Sequence, residues 1–427
     1  MKKFLTVLAA LLLGLSACAT PDFPELTETQ PELFMQPRKS EQTAPDTAAP
    51  DYDLAYYNTR NYTTIAGVWI SYIELSGILT NRTEEQFRSG FADMMNNCRS
   101  LGINTVYVHL RPFGDALYSS DYYPWSKYVT GRVGGVPEYD PLTVMLEEAH
   151  SRDISFHGWL NPMRIQADAD IADVSDTFAI GKWYKSEKLR KTYIVKHNEN
   201  WYLNPAHEEV RALIGDGAEE ITAKYNIDGL HIDDYFYPTT SPDFDALSFA
   251  AISAPKSLSA FRRANVNAMV RELYTSVKRG NPNALFGISP SGDFSLNADE
   301  LYADVHAWAG GGFADYIVPQ LYYGFNNESL PFAEYAARWQ DLYAESSVKL
   351  MYGLAVYKIG AADKFAGTGE REWLDEREII RRQIEAVRAA PGYGGVVFFS
   401  YNFLFNPTHV TEAIIAEIVA FKPLLND

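Results

Sequence analysis

Asp228-Gly229-Leu230-His231-Ile232-Asp233-Asp234-Tyr235-Phe236-Tyr237-Pro238 reads as a buried strand with its chemistry loaded at the C-terminal end. Alternate strand residues point to opposite faces, so Leu230 and Ile232 share one face and His231, Asp233 and Tyr235 the other. In a parallel barrel the apolar pair packs on outer helices and the polar set points into the mouth. An inward Asp at the C-terminal end of a barrel strand is the usual place for a catalytic carboxylate. The competing reading is that Asp233 and Asp234 only cap the next turn. His-x-Asp-Asp followed by Tyr-Phe-Tyr-Pro favours chemistry.

Outward from this stretch, strand and helix patterns alternate eight times. The expected strands are 67–73, 104–111, 155–161, 228–235, 285–291, 314–323, 348–356 and 394–401. They are near-continuous apolar runs, as strands covered on both faces require. The expected helices are 83–100, 141–152, 205–225, 255–279, 298–309, 331–345, 375–390 and 407–421, with Pro141, Pro205, Pro255, Pro331 and Pro407 at first turns. Eight βα units predict a (β/α)8 barrel over residues 61–427. A doubly wound sheet is disfavoured, because no Gly-x-Gly-x-x-Gly follows the first strand.

Helix-to-strand connections are short, whereas strand-to-helix connections such as 112–140, 162–204 and 236–254 are long. Extra mass therefore sits over the C-terminal mouth, where Tyr118, Tyr122, Tyr123, Trp125, Trp183, Tyr184 and Trp201 are expected to wall a groove.

Residues 1–18 read as a targeting segment. Lys2 and Lys3 precede an apolar run too short to span a bilayer well, and Leu15-Ser16-Ala17-Cys18 resembles a bacterial lipobox. That likeness implies cleavage before Cys18 and its lipidation, hence a membrane-anchored envelope protein facing the periplasm or the surface. Residues 19–60, rich in Pro, Thr, Gln and acids, read as a disordered tether reaching on the order of 35 Å. Cys98 is the remaining cysteine, so no disulfide framework exists. A net charge of −18 excludes a nucleic-acid partner, since no basic stripe matches phosphates. Aromatics make up 14% of the chain, which suits hydroxylated, flat-faced ligands such as sugars.

The strand ends deliver Trp69, Ser71 and Glu74; His109 and Arg111; His157, Trp159 and Asn161, with Arg164 beyond; His231, Asp233, Asp234 and Tyr235. They continue with Asp293, then Gln320, Tyr322 and Tyr323. His109, His157 and His231 with an Asp make a conceivable zinc set, but no local metal pattern accompanies them and no metal is assigned. No phosphate-cradling loop follows the last strands, and no cofactor is expected. Arg111 and Arg164 suit an anionic sugar substituent.

Glycoside cleavage fits best: it needs two carboxyl groups, one protonated and one ionised. Asp233 is the candidate nucleophile or base. Asp234 and Asp293 compete for the acid, with Glu74 and Asp115 as further candidates on the opposite side. Their separation, about 5 Å or roughly 6.5–9.5 Å, separates retaining from inverting chemistry.

Gly67-Val68-Trp69-Ile70, Asn104–Arg111, His157-Gly158-Trp159-Leu160-Asn161-Pro162, Trp201-Tyr202-Leu203-Asn204-Pro205, Asp228–Tyr235 and Gln320-Leu321-Tyr322-Tyr323 together resemble the glycosyl hydrolase-like 10 family of bacterial envelope lipoproteins. The likeness spans about 65–421. It implies a barrel that hydrolyses β-1,4 bonds between aminosugars of peptidoglycan glycan strands, including strands stripped of stem peptides. A looser likeness aligns Gly229–Asp233 with the fourth-strand nucleophile segment of α-amylase-type barrels, which carry Arg where this chain has His231. The alternatives are a hydrolase of another polysaccharide and a non-catalytic glycan-binding lipoprotein, which needs the aromatic groove but no acid–base pair.

Overall fold

A computed structural model describes residues 56–252 and 257–425. The expected signal peptide, Cys18, most of the expected tether and Pro255 lie outside the described residues. Eight strands close into a parallel barrel: β1 (Ile65–Ile70), β2 (Thr105–Arg111), β3 (Ser155–Leu160), β7 (Gly229–Ile232), β8 (Leu285–Ile288), β9 (Tyr316–Ile317), β10 (Lys349–Ala355) and β11 (Tyr393–Phe399). Around the ring the order is β1-β11-β10-β9-β8-β7-β3-β2. Between β3 and β7 a small antiparallel sheet is inserted, made of β4 (Arg164–Ala167), β5 (Ile194–His197) and β6 (Asn200–Leu203). This is the expected (β/α)8 fold.

The alternation in the strands sorts two cores. Val68, Val106, Phe156, Leu230, Ile232 and Phe286 face the helices. Trp69, Tyr107, Trp159, Tyr316, Met351 and Val397 fill the barrel interior. Glycines make room for these large rings: a Cβ at Gly287 would lie 1.9 Å from the Tyr316 ring, and one at Gly229 would lie 2.6 Å from His157.

Helix Glu84–Leu101 shows how the sequence starts and stops an element. Thr83 and Gln86 form a capping box, Phe87, Phe91, Met95 and Cys98 recur on its buried face, and Gly102 ends it at φ 96°. Proline marks the first turn at Pro141 and caps helix Phe332–Tyr343 at Pro331. Pro205 and Pro407 instead precede helices that begin at Glu208 and Glu412. The expected helix 298–309 is split into a π-helical turn over Asn297–Leu301 and a helix over Val305–Ala309, because Tyr302 between them turns to φ 57° and its hydroxyl accepts from Arg262. Arg262 also forks onto Asp245 in a fully buried pair and so ties down the loop after β7.

Several residues expected in the tether belong to the barrel's N-terminal end. The Arg60 N–H (2.6 Å) and the Tyr57 hydroxyl (3.1 Å) both donate to Asp228 at the foot of β7, and His150 pairs with the other oxygen at 2.8 Å. Burial pushes the Asp228 carboxyl up, but these donors outweigh it and hold the group below its ordinary range.

Candidate functional site

β7 ends at Ile232, so Asp233 and Asp234 leave the barrel at its C-terminal rim. Asp233 is 5% exposed. Its Oδ1 accepts from Asn161 Nδ2 at 2.7 Å and from the Tyr235 N–H at 3.4 Å. Asn161 directly follows β3, and its own Oδ1 accepts from Arg164 Nη2 at 2.6 Å and meets His109 Nε2 at 3.0 Å. Because that oxygen faces the Arg164 donor, the amide's NH2 must face Asp233, and His109 must carry its proton on Nε2. His109 stacks on Trp159 with centroids 3.8 Å apart, and burial, then Arg164, keeps it well below its usual pKa and therefore neutral. The Arg164 guanidinium lies between the Phe113 and Tyr235 rings, at 4.4 and 4.3 Å. Four elements thus converge to orient one carboxyl.

Burial, then repulsion from Asp234, pushes Asp233 up to about 7, against the pull of Arg164 and Asn161. Asp234 is half-buried and is also raised, by burial, while a hydrogen bond from Gln320 opposes the rise. Gln320 is held in turn by donation to the Ser289 carbonyl at 3.0 Å. The pair is poised to share one proton near neutrality. Next to it stand Tyr322 and Tyr323. The Tyr322 phenol is raised by burial, by Tyr357 and by both Asp charges, and Tyr323 by burial and then Asp293.

Other sequence candidates occupy different places. Arg111 lies behind its strand. The β2–β3 pairing shifts register between His109 and Arg111, which turns the guanidinium outward over the Tyr123 ring (4.3 Å) and against Gly217 of helix Glu208–Lys224. His157, His231 and Trp69 lie within the barrel below the mouth. The Trp69 indole N–H donates to His231 Nε2 (3.2 Å), His231 Nδ1 meets the Tyr316 hydroxyl (3.4 Å), and that hydroxyl meets His157 Nδ1 (2.8 Å). Burial lowers both imidazoles, His157 to about 4, so the chain is neutral and structural. The three histidines are thus each committed to hydrogen bonds at different depths. Among the described residues no group of three or more His, Cys, Asp or Glu side chains converges as a metal set.

Glu74 completes the capping box of helix Tyr72–Leu79 and accepts from Ser400 Oγ and the Asn402 N–H, both at 2.7 Å. Asp293 caps a short helix through the Ser295 N–H at 2.9 Å. Asp115 is buried and accepts from the Phe113 N–H. Tyr235 does not continue the inward face, because alternation stops with the strand; it is 43% exposed over Arg164. Of the expected groove aromatics, Tyr118 and Tyr123 are core residues, while Tyr184 and Trp201 stay partly open in an edge contact at 5.4 Å.

Sequence reasoning missed Tyr72, whose ring meets His109 (5.4 Å) and Phe113 (5.1 Å). It also missed Phe399, which clusters with Tyr322 and Tyr357. Tyr72 fell inside an expected strand, whereas the helix actually starts there; the Ser71-x-x-Glu74 capping box was the available signal.

The chain is similar to known proteins at two levels, in sequence and in fold. The chain is 30% identical over 361 residues to glycosyl hydrolase YngK of Bacillus subtilis (strain 168), covering 78% of this chain and 67% of that one. It is 28% identical over 424 residues to glycosyl hydrolase DigH of Escherichia coli (strain K12), covering 94% and 93%. Among solved structures, the PgaB (BpsB) glycoside hydrolase domain from Bordetella bronchiseptica superposes with a TM-score of 0.53 at 12% identity, covering 85% of this chain and 99% of that one. The β-amylase catalytic domain from Paenibacillus polymyxa superposes with 0.51 at 8%, covering 85% and 100%. At those identities the structural likeness is one of fold. The Glycosyl hydrolase-like 10 model matches residues 64–374, and the chain belongs to that family.

Proposed function

We propose that this protein is a glycoside hydrolase that cleaves β-1,4 bonds between aminosugars in peptidoglycan glycan strands, including strands without stem peptides. The observation that carries this reading is Asp233: a nearly dry carboxyl, raised toward 7, beside Asp234 at the C-terminal rim of the barrel. A carboxyl that keeps its proton near neutrality is a general acid. This changes the role expected from sequence, where Asp233 was the nucleophile or base. Tyr235, Tyr322 and Tyr323 are the proposed sugar-facing aromatics, and Asn161, His109 and Arg164 the groups that orient Asp233. The hydrolase names of the two relatives support the reaction class.

We also propose that lipidated Cys18 anchors the protein in the cell envelope, with residues 19–55 as spacer. Among the described residues no helix is long and apolar enough to cross a membrane. Membrane fractionation checks the anchor: wild type sediments with membranes and Cys18→Ser does not.

The test of function is mass spectrometry of glycan strands, with and without stem peptides, incubated with wild type or Asp233→Asn. The expected result is short aminosugar oligomers from wild type alone. Intact strands with both proteins, alongside measurable binding, would replace the hydrolase by a glycan-binding protein.

A further inference from the structure

By sequence, Arg111 and Arg164 suit an anionic sugar substituent, but both are committed elsewhere. Arg111 is buried over the Tyr123 ring, and Arg164 is held among Asn161, Phe113 and Tyr235. The uncommitted cations lie on the insert between β3 and β7. Residues 179–197 hold Lys182, Lys185, Lys188, Arg190, Lys191 and Lys196 against the single acid Glu187, six positive charges to one negative in a chain whose net charge is −18. Lys191 pairs with Glu187 (2.7 Å) and Lys196 with Asp168 (2.6 Å). Among the described residues Lys182, Lys185 and Lys188 form no salt bridge, and Arg190 gives one N–H to the Tyr184 carbonyl at 2.9 Å.

These charges border a cavity of about 260 Å³ between helix Glu187–Tyr193, β5, β6 and residues 243–248 of the loop after β7. Arg190, Lys191 and Lys196 line it together with Trp201 and Ser248. The lining acids are outmatched: Asp245 is neutralised by Arg262, and Asp243 stands against three cations. The walls are braced. Asn204 Nδ2 (3.1 Å) and His207 Nε2 (3.0 Å) both meet Ser248 Oγ, which joins the insert to the β7 loop. Asp168 accepts from the Trp201 indole N–H (2.9 Å) and from Lys196, so the partly open indole is held in one orientation. The cavity belongs to the catalytic side of the barrel. Arg164, which holds Asn161 against Asp233, opens β4, and the register Arg164–Tyr202–Val195 crosses the sheet to Val195 in the cavity wall, two strand spacings or roughly 10 Å away.

We propose that this cavity is a binding subsite for a carboxylate-bearing sugar of the glycan strand that reaches Asp233, with Trp201 against the sugar ring and Arg190 paired to the carboxylate. The inference rests on the glycan-strand reading above and assigns the ligand of a second region beside the same site. The planar guanidinium fork takes both carboxylate oxygens, and the indole offers a flat apolar face to the ring. In a stripped peptidoglycan strand the carboxylate is the free lactyl group of the muramic unit; in a strand with stem peptides that group is an amide. Exposed Lys182, Lys185 and Lys188 supply the attraction that an otherwise acidic surface denies a polyanion.

The test measures the affinity of the full-length protein carrying Asp233→Asn, which keeps strands intact. The ligands are stripped strands, the same strands with their carboxylates converted to methylamides, and strands with stem peptides. Stripped strands should bind most tightly. Amidation, Arg190→Gln and Trp201→Ala should each weaken binding about tenfold. The effects of amidation and Arg190→Gln should not add, because they remove the two halves of one pair, and both should shrink at high salt. The amidated strand probes an unaltered protein, so it does not depend on how the variants fold. Equal affinity for stripped and amidated strands would overturn the subsite. So would an Arg190→Gln variant that binds stripped strands as well as its parent but loses capture by vesicles of anionic phospholipid, which would reassign the patch to a membrane surface. Arg190-dependent binding that is no weaker for stem-bearing strands would also overturn it, by placing the carboxylate on a peptide. Oligomers released by wild type without these dependences would keep the hydrolase and remove the subsite; Arg190-dependent binding with no release from any strand would keep the subsite and remove the hydrolase.

Discussion

Replacing Asp233 by Asn should abolish hydrolysis and make the protein more stable at pH above about 4, with the full gain reached above about 7. The native carboxyl is pushed from 3.8 to about 7 by burial and by Asp234. Below about pH 4 it is protonated in both the folded and unfolded chains, and it contributes no pH dependence. Between about 4 and 7 the folded chain binds the proton and the unfolded chain has released it, so stability falls as pH rises. Above about 7 both states are ionised and the full penalty remains. At ~1.4 kcal/mol per pH unit over about three units, the ceiling is roughly 4 kcal/mol. Asn keeps an oxygen to accept from Asn161 Nδ2 and removes the charge, so the variant escapes the penalty. For a domain of this size each kcal/mol shifts Tm by about 1–2 °C. Thermal unfolding at pH 8 should therefore place Asp233→Asn about 5 °C above wild type, with the gap closing near pH 4. An equal offset at both pH values, or a variant less stable at pH 8, would refute the burial of a strained charge at this position.

Asn161→Ala removes a donor that favours ionised Asp233, at a net value of about 1.5–3 kcal/mol. Asp233 should rise further, and the alkaline limb of the kcat/KM profile should move up by about one to two pH units; a downward shift would contradict the orientation deduced for the Asn161 amide. Gly287→Ala forces a Cβ to within 1.9 Å of the Tyr316 ring in the barrel interior, so chemical denaturation should register a loss of about 3 kcal/mol. Cys98 is fully buried on helix Glu84–Leu101 and its thiol is pushed up by that burial. In a Cys18→Ser background it should react with a thiol reagent only at the rate of global unfolding.

Much of the barrel was legible because its signals are local. Period-two runs such as 228–232 mark strands, and Thr83-x-x-Gln86 marks a helix start. Unequal loop lengths told which rim carries the chemistry. The Asp233-Asp234 pair was legible too, since it sits where one such run stops. What the sequence alone could not determine is depth. His109, His157 and His231 each occupy an inward position on its strand, yet one supports the rim and two fill the interior, because the stagger between neighbouring strands sets the layer. Nor could it show the register shift after His109 that sends Arg111 into the helix layer, or that β7 stops at Ile232 and leaves Tyr235 outside the alternation. Alternation and capping are properties of a few consecutive residues. Layer, register and the company Asp233 keeps at the rim depend on how all eight strands pair, so only the closed barrel decided them.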